Sequence, residues 1–147
     1  MADTRHGYTA QDEFEARWAK LGKRGWLWRF RDSSDLYGRN NNKLVITDAQ
    51  PADFLCGLSG WVGFVECKAT KDLTGFKIGS LRKTQSVYMT LSHVAQTPYM
   101  VAIKQELTSS WFLVPGNFIL QQKGTIKWAE LALYAWPAEI TCPILTI

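Results

Sequence analysis

Between Trp61 and Thr70 the chain reads Trp-Val-Gly-Phe-Val-Glu-Cys-Lys-Ala-Thr, a mostly apolar stretch whose only charges are Glu66 and Lys68. Side chains alternate across a strand, so Glu66 and Lys68 share one face while Val65 and Cys67 occupy the other. Val and Phe on both sides of the pattern predict a strand buried on both faces, central in its sheet. Charges in such a strand are rarely buried without partners. The preceding apolar run, Pro51-Ala52-Asp53-Phe54-Leu55, is followed by Gly57-Leu58-Ser59-Gly60, which reads as a tight hairpin turn. Pairing of the two runs as neighbouring strands brings Asp53 beside Glu66, placing two carboxylates and an ammonium at one spot. A divalent cation would relieve the repulsion between the carboxylates, because hard cations take carboxylate oxygens. A plain salt bridge of Lys68 with either carboxylate on an exposed face is the competing account.

The rest of the chain supplies elements for a sheet and its cover. Thr9 to about Leu21 reads as a helix, with Thr9 as N-cap, Asp12 three positions on, and Phe14, Trp18 and Leu21 as the buried stripe. Glu15 lies at the edge of that stripe, and Glu13 lies well around the helix from it. Trp26-Leu27-Trp28-Arg29-Phe30 is an aromatic-rich first strand. A polar loop from Arg31 to Lys43 follows, with Leu44 to Ile46 as a possible next strand. Lys71 to Gly79 is a polar connection in which Phe76 is expected to pack back on the domain, a wedge against nucleic acid being the alternative. Ser80 caps a second helix that runs to about Gln96 before Pro98. Its expected buried stripe is Thr84, Val87, Tyr88, Leu91, Val94 and Ala95, with Gln85 beside it near Lys68. Tyr99 to Lys104 and Trp111 to Val114 are two further strands. The apolar tail from Asn117 to Ile147, with a short helix capped by Thr125, is either core or a face for a second copy.

Composition excludes several classes. At 147 residues, 46% hydrophobic and 20% charged, the chain has the make-up of one soluble globular domain. No apolar run approaches the ~20 residues of a membrane-spanning helix, and Met1 to Gln11 has no signal-like core. Cys56, Cys67 and Cys142 are odd in number and sit in apolar strings, so they read as buried thiols in a reducing cytoplasm, with no CxxC pair for zinc. His6 and His93 are isolated, there is no Walker loop, and Trp61 stands where a nucleophile elbow needs its closing glycine. The net charge of +4 is unevenly laid out. Residues 17–43 carry eight Lys and Arg against Asp32 and Asp35, and residues 68–83 carry five against Asp72. These basic segments flank the acidic one in sequence, a pattern that draws polyanions such as DNA.

Pro51-x-Asp53 followed by Glu66-Cys67-Lys68 resembles the PD-(D/E)XK signature of the restriction-endonuclease-like nuclease superfamily. An upstream helix bearing a glutamate and a downstream helix bearing a glutamine extend the likeness over residues 9–115. Size and order look most like Holliday-junction resolvases of the RecU and archaeal Hjc types, phage-borne versions included. The resemblance implies an α/β fold, a mixed central sheet flanked by helices. It implies Mg²⁺, with Mn²⁺ as a substitute, held by Asp53, Glu66 and the Cys67 carbonyl with help from Glu15, which it favours over Glu13. Lys68 would position the attacking water and Gln85 would orient the group. Arg31, Arg39, Lys43, Lys71, Lys77, Arg82 and Lys83 would grip the DNA backbone. The implied partner is four-way or branched DNA, cut by a homodimer in a bacterial or phage-infected cytoplasm. A sequence-reading nicking, restriction or homing endonuclease, and a DNA-binding module without cleavage, are the alternatives.

Overall fold

The structure, a computed structural model, describes residues 6–30 and 50–137, with side chains from residue 9 onward. It is an α/β fold built on a five-stranded mixed sheet. The elements run α1 (His6–Ala19), β1 (Gly25–Arg29), β2 (Phe54–Leu58), β3 (Trp61–Thr70), β4 (Gly75–Lys77), α2 (Lys83–Val94), β5 (Tyr99–Gln105), β6 (Ser110–Pro115), α3 (Gly116–Leu120) and β7 (Thr125–Lys127), with short 3-10 turns between some of them. The main sheet has the order β1-β2-β3-β5-β6, so β3 is central, and β4 pairs with β7 in a separate two-stranded ribbon. All neighbours are antiparallel except β3 and β5, which run parallel with α2 on the crossover between them. Among the described residues no helix is long and apolar enough to cross a membrane.

The sheet separates two cores. On one face α1 lays Ala10, Phe14 and Trp18 onto Phe54, Cys56, Val65 and Cys67. These helix positions follow the i, i+4, i+8 spacing of one stripe. Full burial of an aromatic such as Phe14 contributes about 1.5–3 kcal/mol, and its ring packs 4.9 Å from Phe54. The Trp18 indole N–H also donates to the Trp26 carbonyl at 2.8 Å, tying the helix to β1. Thr9 falls inside this helix rather than at its cap, since the backbone is already helical at His6. Gly22, at φ +68°, follows the end of the helix.

On the opposite face α2, α3 and the β4/β7 ribbon enclose Tyr99, Val101, Ile103, Phe112 and Val114. Phe76 belongs to this core and is almost wholly buried, in keeping with its expected packing. The β2–β3 turn forms at Ser59 and Gly60, whose φ values of +45° and +88° fit the right-handed twist of a two-residue hairpin.

Three expectations are corrected. The cap of α2 is Arg82, while the Ser80 hydroxyl donates to the Lys77 carbonyl instead. The helix also buries Gln85, Met89 and Ser92, leaving Val87, Tyr88, Leu91 and Val94 exposed. The apolar stripe therefore faces out, since α2 turns Gln85 to the buried Glu66 carboxylate and Met89 to the apolar core. The start of the tail is core: Leu131 is fully buried, and Trp128 stacks on Phe112 at 5.4 Å. Thr125 begins β7, and the following Trp128–Tyr134 segment is a 3-10 helix. Leu44 to Ile46, Cys142 and the end of the tail lie outside the described residues.

Candidate active site

Strand pairing places the carboxylates together. Phe54 is opposite Val65 in the β2–β3 ladder, so Asp53, one residue before β2, lies beside the Glu66–Cys67 step. Three hydrogen bonds hold it there. Its carbonyl accepts the Phe30 N–H at 2.9 Å, its Oδ2 accepts the Cys67 N–H at 2.9 Å, and its Oδ1 accepts the Gln11 side-chain amide at 3.1 Å. Behind it, the Tyr99 hydroxyl donates to the Pro51 carbonyl at 2.6 Å and fixes the incoming turn. Glu66 is 3% exposed. Its Oε1 receives the Gln85 amide and lies 3.6 Å from Lys68 Nζ.

The electrostatics follow from that crowding. Burial, and then the neighbouring Asp53 charge, push Glu66 up to about 8, with Lys68 pulling the other way. Burial raises Asp53 as well, against the Cys67 N–H and the Lys68 charge. Two carboxyls within hydrogen-bonding reach in a low-dielectric site cannot both ionise without a counter-charge. Burial and the same two carboxylates also raise the Cys67 thiol and the Tyr99 phenol, so both remain protonated near neutrality. The Cys67 side chain lies on the α1 side of the sheet and belongs to that core, leaving its main-chain carbonyl as the group on offer to a cation.

Asp53, Glu66, Lys68 and Gln85 are thus brought together, and Glu15 is not. Glu15 is exposed on α1, 3.4 Å from the Arg29 guanidinium, which also meets Asp12 at 2.7 Å and Gln11 at 2.8 Å. Glu13 is half-buried and paired with Lys104 at 2.6 Å. The helix residue that touches Asp53 is Gln11, one turn before Glu15 on the same side of the helix. Its place beside the Phe14 stripe was the signal that could have found it; Tyr99 carried no comparable one. Among the described residues no third His, Cys, Asp or Glu side chain joins the pair to make a metal-holding group. Two hard carboxylates and a carbonyl still suit Mg²⁺, which keeps several waters and takes few protein ligands.

Of the cations expected at DNA, Arg82 and Lys83 open α2 and are exposed, three and two residues before Gln85. Lys71 and Lys77 are exposed on the connection after β3, Lys77 facing Asp72 at 3.5 Å. Arg31, Arg39 and Lys43 lie outside the described residues.

No family model matches the chain, and no curated protein matches it in sequence. Among solved structures it is similar to that of Archaeoglobus fulgidus Hjc, described as a Holliday junction resolvase from an archaeal hyperthermophile. The TM-score is 0.59 at 16% sequence identity, over 86% of this chain and 93% of that one. The two chains share one fold.

Proposed function

We propose that the protein is a metal-dependent endonuclease that hydrolyses DNA phosphodiesters at four-way or otherwise branched junctions, as a resolvase of the PD-(D/E)XK class. The observation that carries this reading is the buried Asp53–Glu66 pair with Lys68 and Gln85 on it, an arrangement unfavourable without a cation. Near-complete mutual coverage with a fold used by an archaeal junction resolvase supports the choice of substrate.

Asp53, Glu66 and the Cys67 carbonyl would hold Mg²⁺, with Mn²⁺ as a substitute. Bound there, the ion would supply Lewis acidity toward the phosphate and a more acidic water. Lys68 holds its ammonium beside Glu66, where it orients the attacking water and offsets charge developing on the phosphate. Gln85 keeps one Glu66 oxygen engaged, which would leave the other for the cation. Gln11, with the Cys67 N–H, fixes the orientation of the Asp53 carboxylate, and on this reading the helix contribution is Gln11's, with Glu15 acting behind Arg29. Arg82, Lys83, Lys71 and Lys77 give backbone-directed attraction. A homodimer places two such sites on opposing strands, and the uncovered apolar row of α2 is the face that supports it.

Cleavage of matched four-way, flap and linear duplexes with Mg²⁺ tests the proposal. Junction cutting that chelator abolishes is the expected result. Cutting of one linear sequence with indifference to junctions would replace the resolvase by a sequence-reading endonuclease. Tight binding without cleavage would leave a DNA-binding module.

A further inference from the structure

Among the described residues, the sheet face that carries Glu66 and Lys68 is covered over only half its width. The core beneath α2, α3 and the β4/β7 ribbon covers β5 and β6. Over β1, β2 and the start of β3, the same face presents Trp26, Trp28 and Val62 at 49%, 65% and 49% exposure. Register ties these residues to the site. Trp28 is opposite Leu55, and Leu55 is opposite Phe64, two residues before Glu66 on the same face. Two strand spacings and one two-residue step put Trp28 about 12 Å from Glu66. Three or four stacked nucleotides at about 3.4 Å each cover that distance.

The Trp26 ring is also seated. Trp26 lies opposite Gly57, and a Cβ on Gly57 would fall 2.1 Å from the Trp26 indole nitrogen. The indole therefore rests on bare backbone, with its outer side presented. From the other side of the sheet, Trp18 holds the Trp26 carbonyl. Two exposed tryptophans on the edge strand of the described sheet are a liability that a fold without use for them would blunt. Cations stand at both ends: Lys23 and Arg24 are exposed where β1 begins, and Lys68 is on this face at the carboxylates. Flat aromatic surface between positive charges matches a nucleotide strand, whose bases stack and whose phosphates alternate with them.

We propose that Trp26 and Trp28 form a stacking platform for unpaired bases of the DNA strand that enters the Asp53–Glu66 site. The proposal rests on the nuclease reading and narrows its substrate to DNA with bases free of the duplex stack near the cut. A base inside a continuous duplex has both faces taken by its neighbours, whereas a base at a branch or flap does not.

The test measures binding in an Asp53→Asn background, which keeps the DNA intact. Three DNAs are compared: one with unpaired bases at a branch, the same with abasic sites there, and a continuous duplex. Trp28→Ala should lose affinity for the first on the order of tenfold and leave the duplex unchanged. Trp28→Phe should keep most of the affinity, and the abasic DNA should erase the difference between variants. Quenching of tryptophan emission by the unpaired bases, reduced in Trp28→Ala, is the matching optical signature. An unchanged affinity in Trp28→Ala, an equal loss on all three DNAs, or conversion of a dimer to a monomer on sedimentation would each overturn the platform. In the unsubstituted protein, Mg²⁺-dependent cleavage alongside any of those results leaves the nuclease standing and removes only the platform. Absence of both binding and cleavage brings down the two together.

Discussion

The side-chain amide of Gln85 joins Glu66 to the first turn of α2. Its Nε2 donates to Glu66 Oε1 while its Oε1 accepts the Arg82 N–H at 2.8 Å. One group thus satisfies an orphan donor at a helix start and sets the direction of a buried carboxylate. The two exposed cations Arg82 and Lys83 ride on the same turn. A displacement of that turn by DNA would be felt at Glu66 through a single side chain.

Substitution at Gln85 separates its two roles. Gln85→Ala removes the helix-capping acceptor and should cost about 1–2 kcal/mol of stability, besides slowing cleavage. Gln85→Glu keeps an acceptor for the Arg82 N–H but sets a third carboxyl against Glu66. Its stability in chelator should therefore fall more steeply with rising pH than that of the unsubstituted chain. Urea denaturation of both variants at pH 5.5 and 8 reads this out. Equal pH slopes would show that Gln85 does not face Glu66 in solution.

The carboxylate pair sets a pH dependence whose sign is fixed. Folding raises Glu66 from 4.5 to about 8, and Asp53 moves upward too. Between those limits the folded chain keeps a proton that the unfolded chain has released, so stability falls as pH rises through the window. Cation binding requires the ionised pair and removes that penalty. The gain in Tm on adding Mg²⁺ should accordingly be larger at pH 8 than at pH 5.5. Near pH 7 binding should release protons, seen as a calorimetric heat that varies with buffer ionisation. A Tm indifferent to both pH and Mg²⁺ would remove the metal assignment.

What the sequence disclosed here, and what it hid, divides along a physical line. Glu66 and Lys68 were legible because a two-residue period is rigid: in a strand they must share a face, and Ser59-Gly60 must turn the chain back beside Asp53. Helical faces were less legible. The periodicity of Val87, Tyr88, Leu91 and Val94 is a regular apolar stripe, yet α2 turns Gln85, Met89 and Ser92 inward. Hydrophobic patterning assumes an apolar neighbour, and the neighbour at Gln85 is Glu66. On α1 the glutamate beside Phe14 drew attention by its charge, while the residue that reaches Asp53 is the neutral Gln11 one turn earlier. Strands of three residues such as β4 and β7 leave almost no period to read.

Removing charge from the site should stabilise the fold and stop the chemistry together. Asp53→Asn eliminates one of two mutually repelling buried carboxyls, so in chelator its Tm at pH 8 should rise above that of the unsubstituted chain, while cleavage is abolished and DNA binding persists. Lys68→Ala withdraws the ammonium that offsets Glu66. It should lower single-turnover cleavage by orders of magnitude with roughly unchanged affinity. Rescue of Lys68→Ala by higher protein concentration alone would reduce Lys68 to an anchor for DNA.

The apolar row on α2 supplies the last prediction. Val87, Leu91 and Val94 follow i, i+4, i+7 on one side of the helix, with Tyr88 beside them, and all four are exposed. A row of this kind can pack against itself across a two-fold axis, each copy offering the same patch. Because Gln85 on the same helix touches Glu66, self-packing of α2 would hold two carboxylate sites at a fixed separation, as paired cuts across a branch require. Sedimentation should give twice the mass of one chain, and Leu91→Asp should return it to one. The variant should keep its fold, since Leu91 is exposed, and should nick junctions on one strand at a time rather than cutting two in concert. A Leu91→Asp protein that remains dimeric would move the interface elsewhere on the molecule, and an unsubstituted chain that sediments as a monomer at micromolar concentration would leave paired cutting without a structural basis.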